Sequence, residues 1–235
     1  MVMQKSAMSE KPWQVHRIGR EGLPVVVHDG FGPETDRLRE GTSGLRFAAK
    51  GPFYPGVRSS SPEGYTEDLL RELSPALEEA FGWSEADTIS SDYSLVTTEP
   101  GRLLPFQRMP HFDGVEKDVL AILHYLCGPE HGGTSFFRHE TTGFEEVTEE
   151  RYKTYEQAVQ EDVRRTGMPA PRYRNETDEL FTRTATFDCR PGRVLVYKGT
   201  TLHSGRIPDG HNLSPDPLRG RLTLNTFISR KRSDA

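Results

Sequence analysis

Near the end of this 235-residue chain, residues 221–228 read Arg-Leu-Thr-Leu-Asn-Thr-Phe-Ile. In a strand, alternate side chains point to opposite faces. Leu222, Leu224, Thr226 and Ile228 therefore share one face, and Arg221, Thr223, Asn225 and Phe227 share the other. If the leucines meet covering helices, Arg221 and Thr223 face the interior of a barrel. A guanidinium held there needs an anion, because an unpaired buried charge is costly. The fold has to give one strand an apolar outer face and a charged inner one.

The rest of the chain supplies the material for that barrel. Leu69, Leu73, Leu77 and Ala80 recur at helical spacing with acids between them, so residues 64–81 are predicted as an amphipathic helix, closed by Gly82. Residues 33–39 are a second, short helix. Strands are predicted at 23–28, 91–98, 106–113, 119–126, 134–138, 181–189, 193–197 and 221–228. In 119–126, Val119, Ala121, Leu123 and Tyr125 fall on one face. Residues 147–165 are highly charged but align Tyr152, Tyr155, Val159 and Val163, which predicts a helix inserted between strands. Residues 41–63 and 168–178, rich in Pro and polar residues, read as loops. Early helices followed by many short strands predict an α+β domain on a double-stranded β-helix, or jelly-roll, core. Its expected limits are residues 13–230, with tails at 1–12 and 231–235, the early helices packed on one sheet, and a helical insertion at about 144–166.

Two further positions share the chemistry of Arg221. His111-Phe112-Asp113 places an imidazole and a carboxylate on one side of its segment, and His203 follows a Gly-Thr-Thr turn that would lift it to a barrel rim. Two imidazoles and one carboxylate are the ligand set of non-haem Fe(II) oxygenases, and three protein ligands leave roughly three positions on an octahedral ion. A 2-oxo acid can chelate through two of them, leaving one for O₂. Arg221 can hold the distal carboxylate of 2-oxoglutarate through two parallel hydrogen bonds, with Thr223 donating another. Arg219 shares the parity of Arg221 and is the alternative anchor, although Gly220 argues for a loop there. His16, His28, His124, His131 and His211 are expected to be structural. His139, after a Gly-Gly turn, stays open.

Composition excludes several partner classes. With 30 basic and 35 acidic residues the formal charge is −5, which gives no general attraction to nucleic acid. The run Arg230-Lys231-Arg232 reads as a solvated tail. No apolar stretch approaches the length of a membrane span. Cys127 and Cys189, the two cysteines, lack CxxC spacing and are expected as free thiols in the core. With no signal-peptide pattern in residues 1–12, a cytoplasmic location is expected.

From residue 91 to residue 228 the chain resembles the Fe(II)/2-oxoglutarate dioxygenase superfamily, nearest its prolyl-4-hydroxylase-like branch. The residues that carry the resemblance are Pro110-His111-Phe112-Asp113, Leu123-His124-Tyr125-Leu126, Gly132-Gly133-Thr134-Ser135-Phe136-Phe137, Pro191-Gly192-Arg193-Val194-Leu195-Val196-Tyr197, Leu202-His203-Ser204-Gly205 and Arg221-Leu222-Thr223-Leu224. The run Phe136-Phe137-Arg138-His139 also resembles a bacterial group within the superfamily. The resemblance implies iron ligation by His111, Asp113 and His203, and co-substrate binding by Arg221 and Thr223. It also implies a Tyr125 hydroxyl in contact with the co-substrate. The stretch from His203 to Arg221 is longer than the family commonly shows, and the loop 207–218 accounts for the excess. The insertion has no counterpart there and is expected to be a lid, a substrate-binding element or a dimer contact. Retention of Asp113 argues against the halogenase variant, which needs that position for chloride.

The expected activity is oxidation of a C–H bond, most simply hydroxylation, of an amino-acid-like, peptide or small-molecule substrate. Arg138, His139, Glu140 and Arg206 are candidates for the entrance. The sequence leaves the oligomeric state open, a homodimer included. The rival readings are a cupin-like metal protein without 2-oxoglutarate chemistry and a non-catalytic binding module on the same fold. A zinc hydrolase could use the same ligands but would not need Arg221 and Thr223.

Overall fold

The computed structural model describes residues 11–31, 34–211 and 213–231. In chain order its elements are β1 (Trp13–Ile18), β2 (Leu23–His28), α1 (Glu34–Glu40), β3 (Gly56–Ser60), α2 (Tyr65–Phe81), β4 (Ala86–Val96), β5 (Val119–Tyr125), β6 (Gly133–His139), α3 (Glu149–Thr166), β7 (Phe181–Asp188), β8 (Val194–Lys198), β9 (His203–Arg206) and β10 (Leu222–Arg230). A seven-stranded sheet runs β1-β2-β8-β5-β10-β4-β3, and a three-stranded sheet runs β7-β6-β9. All of these pairings are antiparallel.

The large sheet is covered on both faces, and the alternation of its central strands explains how. Val26, Leu120, Ile122, Val194, Val196, Leu222, Leu224 and Ile228 pack with Leu69, Leu73, Ala76, Leu77 and Ala80 of α2. Val25, Val27, Ala121, Leu123, Tyr125, Leu195 and Tyr197 point the other way, into a second cluster with Phe136 of the small sheet. Leu69 and Leu73 are fully buried, and each such side chain contributes about 1.5–3 kcal/mol of burial free energy. Gly82 ends α2 at φ 69°, where its N–H reaches Glu78 O. That left-handed cap is cheap for glycine and costly for a residue with a Cβ.

Several sequence expectations change in detail. The segment predicted as a strand at 106–113 is not one. Pro105–Arg108 forms a 3-10 turn, and His111 makes a single antiparallel bridge to His203. Pro110, with no N–H to donate, helps keep a regular ladder from forming. The stretch at 41–63 contains β3, which pairs with β4, and β1 adds an edge strand where none was predicted. Pro33 and residues 1–10 and 232–235 of the expected tails lie outside the described residues, whereas Lys11 pairs with Glu79 and Lys231 with Glu85.

The insertion closes one end of the small sheet. Tyr155 of α3 lies in a cluster with Phe137, Val147, Leu180, Phe181 and Leu202, against which Met109 and Phe112 pack. Gly132, at φ 88°, enters β6 under β9, and a Cβ there would collide with the Arg206 carbonyl.

Candidate metal centre

The turn between β8 and β9 grips the loop that carries His111 and Asp113. His111 and His203 exchange backbone hydrogen bonds of 2.8 Å each way, and the Asp113 N–H donates to Gly199 O at 2.7 Å. Two side chains far upstream of His203 are thus fixed beside it by main-chain contacts. Phe112, between them, points away and packs its ring against Tyr155 at 5.8 Å and Tyr152 at 6.2 Å.

The result is one cluster. A ligand atom from each of His111, Asp113 and His203 lies within 4.8 Å of the other two. His203 Nε2 is 3.6 Å from Asp113 Oδ2, and His111 Nε2 is 3.9 Å from Asp113 Oδ1. Ligands at right angles around a first-row ion stand roughly 3 Å apart, so small rotamer changes would suffice for all three to share one ion. The Nδ1–H of His203 donates to the Thr201 carbonyl at 2.9 Å. A carbonyl can only accept, so the other nitrogen, Nε2, keeps its lone pair toward Asp113. Orientation of a ligating imidazole by a backbone acceptor is the usual arrangement at metal centres. Burial holds His203 down at about 4. His111 is also lowered to about 4, by burial first and then by the charge of His203, against the pull of Asp113. Its side chain keeps 52 % of its exposure because it stands at the mouth of the concavity, so its shift is the softer of the two. Both rings are neutral near pH 7, the form that binds a metal. Burial raises the Asp113 carboxyl, opposed by the positive charges of His111 and Arg58.

Deeper in, Arg221 is 4 % exposed. It donates to Gly133 O at 2.8 Å and lies 5.9 Å from the Tyr125 ring centre, while its shielded Nε has no hydrogen-bond acceptor. Among the described residues no carboxylate forms an ion pair with it; the titratable groups around it are Cys189, Tyr125, Cys127 and Tyr54. Arg219, the alternative anchor, is turned out of the fold toward Asp216. The Tyr125 hydroxyl is buried and hydrogen-bonds Thr134 at 2.6 Å. Thr223 is buried on the same face, but its hydroxyl already donates to Asn225 Oδ1 at 2.7 Å. Cys127 and Cys189 are buried free thiols.

The remaining candidates have internal partners. His139 is buried between Thr142 and Asp162 of α3, at 3.0 and 3.1 Å. Arg138 pairs with Glu140, and Arg206 with Asp188. Sequence reasoning gave no sign of Tyr54, Arg58 and Ser94, which line the Arg221 side of the interior. Their positions follow from the pairing of β3 with β4, and β3 has no sequence pattern that announces it.

Residues 9–228 match the model of a family of unknown function, DUF6445. The chain belongs to that family. No curated protein matches its sequence. Among solved structures, HygX from Streptomyces hygroscopicus with nickel, 2-oxoglutarate and hygromycin B bound is similar at a TM-score of 0.53 and 13 % identity, over 89 % of this chain and 84 % of that one. HygX with nickel and 2-oxoglutarate bound gives 0.51 and 11 % over the same shares. At that identity the likeness is one of fold. In this DUF6445 chain, no helix among the described residues is long and apolar enough to cross a membrane.

Proposed function

We propose that this chain is a non-haem Fe(II)- and 2-oxoglutarate-dependent oxygenase. The observation that carries the reading is the pairing of two features around one interior cluster. Two neutral imidazoles and a carboxylate converge beside Tyr197, and a buried guanidinium that has no carboxylate partner among the described residues lies against Tyr125 of the same cluster. On this reading the two sheets are the halves of a jelly roll, and the resemblance of the motifs favours the prolyl-4-hydroxylase-like branch. The HygX structures, which share the fold, hold nickel and 2-oxoglutarate.

His111, Asp113 and His203 would hold the metal, with His203 fixed by Thr201. Arg221 would take the far carboxylate of 2-oxoglutarate, and Thr223 would join it by exchanging Asn225 for the carboxylate as its acceptor. Tyr125, kept in place by Thr134, forms a wall of the same pocket. Held there, Fe(II) with 2-oxoglutarate would supply O₂ activation, with one oxygen atom going to the substrate C–H bond and the other to succinate as CO₂ is released. The walls, Tyr197 and Phe136 among them, have their rings within 4.8 and 6.3 Å of His203 and keep water from it. The expected reaction is hydroxylation of an amino-acid-like, peptide or small-molecule substrate.

Anaerobic titration of the purified chain with Fe(II) and 2-oxoglutarate is the test. A visible charge-transfer band in wild type, absent from Asp113→Ala and needing at least about tenfold more 2-oxoglutarate in Arg221→Met, supports the reading. A wild type that develops no band and gains no affinity for 2-oxoglutarate overturns it.

A further inference from the structure

The inner face of the large sheet carries a second arginine that has no acid partner among the described residues. Arg58 of β3 lies opposite Ser94 of β4, Ser94 opposite Thr223 of β10, and Thr223 opposite Tyr125 of β5. Directly opposed residues on antiparallel strands share a face, so these four form one row across four strands, on the face that holds Arg221. The Arg58 guanidinium stacks on the Tyr54 ring at 4.5 Å. Its Nε is shielded from solvent and, among the described residues, has no hydrogen-bond partner, whereas the Tyr54 and Ser94 hydroxyls pair with each other on the same wall. A shielded guanidinium nitrogen left without an acceptor is costly, and this one stands on the wall that also holds Arg221.

Other arginines shielded to a similar degree have carboxylates. Arg193 is paired with Asp29, Arg174 with Asp178, Arg138 with Glu140 and Arg151 with Glu21. Arg108 is satisfied by carbonyls, chiefly Leu103 O. Arg58 and Arg221 depart from that pattern, and they differ from each other in place. Arg221 is anchored under β6 at Gly133, whereas Arg58 lies out on β3, braced on the Tyr54 ring. One dicarboxylate anchored on Arg221 leaves Arg58 for another molecule. Next to Tyr54 in the chain, Phe53 is 76 % exposed and packs its ring against Phe106 at 5.3 Å. Gln107 ties the two segments together by donating to Pro52 O and Phe53 O.

We propose that Arg58, braced by Tyr54, determines substrate specificity by binding an oxyanion group of the substrate, a carboxylate or a phosphate, while Phe53 and Phe106 take an apolar part of the same molecule. The inference rests on the oxygenase reading of this cavity. It makes Arg58 a substrate contact, separate from the co-substrate anchor.

Calorimetric titration of the full chain, loaded with Ni(II) and 2-oxoglutarate, tests it with two matched pairs of probes. N-acetyl-L-phenylalanine is compared with its amide, and phenyl phosphate with phenol; the pairs distinguish the two anion sources. In wild type at least one anion is expected to bind about tenfold or more tightly than its neutral counterpart. Arg58→Gln should erase that preference and leave the affinity for 2-oxoglutarate unchanged within about threefold. Equal affinities within both pairs in wild type overturn the proposal, as does a preference that survives in Arg58→Gln. Loss of 2-oxoglutarate binding in that variant also overturns it, by making Arg58 a co-substrate anchor. If wild type binds no 2-oxoglutarate, the oxygenase reading falls, and the same titrations with Ni(II) alone still decide the role of Arg58. Should Arg58→Gln not fold, Arg58→Lys carries the test, because lysine keeps the charge and loses the fork. A severalfold drop in preference there supports the proposal, and an unchanged one overturns it.

Discussion

Two pairs of histidines lie on opposite sides of the large sheet. His111 and His203 stand together on the small-sheet side, and His28 and His124 lie beneath α2 in the apolar core. Burial lowers all four. The surroundings differ. His203 and His111 converge on one carboxylate, and a backbone carbonyl fixes the tautomer of His203. His124 instead accepts or donates at Nδ1 with the Tyr65 hydroxyl, 3.1 Å away, and packs edge-on against Phe31. His28 lies 3.4 Å from Glu72, which is itself half exposed. A depressed imidazole is therefore no mark of a site in this fold, because the core produces it too. The mark is convergence of lone pairs on a common point.

Substitution at each side separates the two kinds of residue, and this is the largest effect expected. Asp113→Ala should lower metal affinity by about a hundredfold or more while shifting the unfolding free energy of the metal-free chain by only about 0.5 kcal/mol. Leu73→Ala, under α2, should do the reverse. It should cost about 2–5 kcal/mol of stability and leave the metal affinity of the folded protein as it was. Nickel titration and urea unfolding on both variants check the pair. Loss of metal affinity in Leu73→Ala at full folding would erase the distinction between core and site.

Acid sharpens the same comparison. The folded-state value of His124 is pressed down to about 3 from an ordinary 6.5, and that of His28 is also lowered. Between those limits the unfolded chain binds a proton that the folded core refuses. Stability is full above about pH 6.5 and falls as the pH drops toward about 3, by up to about 1.4 kcal/mol per pH unit for each such histidine. The groups facing them are Tyr65, Phe31, Glu72 and Asp29, and attraction to the two acids softens the fall for His28. His124→Gln should flatten the slope of the metal-free chain between about pH 6 and 4 by about one histidine's share. An unchanged slope in urea melts across that range would mean that the mouth histidines, and not the core ones, set the acid limit.

How far the molecule could be read in advance follows the same division. Alternation in β10 and β5 and the helical spacing of α2 are local patterns, and they gave the two-faced sheet and the inward Arg221. The convergence of His111, Asp113 and His203 was legible because these residue types, in this order, are rare in combination. The geometry under it was not: His111 and Asp113 were expected on a strand, and a single bridge to His203 holds them instead. β3 is five residues, Gly-Val-Arg-Ser-Ser, with no alternation of hydrophobicity to announce it. With β3 went the row from Arg58 to Tyr125, since only pairing across four strands assembles it. The burial of His139 against Asp162 depends on an insertion docking across the small sheet, a long-range contact that local sequence does not encode.

Arg221 offers the finest cut between stability and function. Its guanidinium is buried with one carbonyl partner and an unsatisfied Nε, so in the free protein it is held at a cost that a bound dicarboxylate would offset. Replacing a buried, poorly paired charge by an apolar side chain of similar bulk is often neutral or stabilising by about 1–4 kcal/mol. Arg221→Met should therefore leave the metal-free chain as stable as wild type or more so, by about 1 kcal/mol, while 2-oxoglutarate no longer raises its melting temperature in the presence of Ni(II). In wild type the same ligand at about a hundred times its dissociation constant should add about 2.7 kcal/mol. A variant that is destabilised, and that still responds to 2-oxoglutarate, would show that Arg221 serves the fold through Gly133 and that the inner face has another anchor.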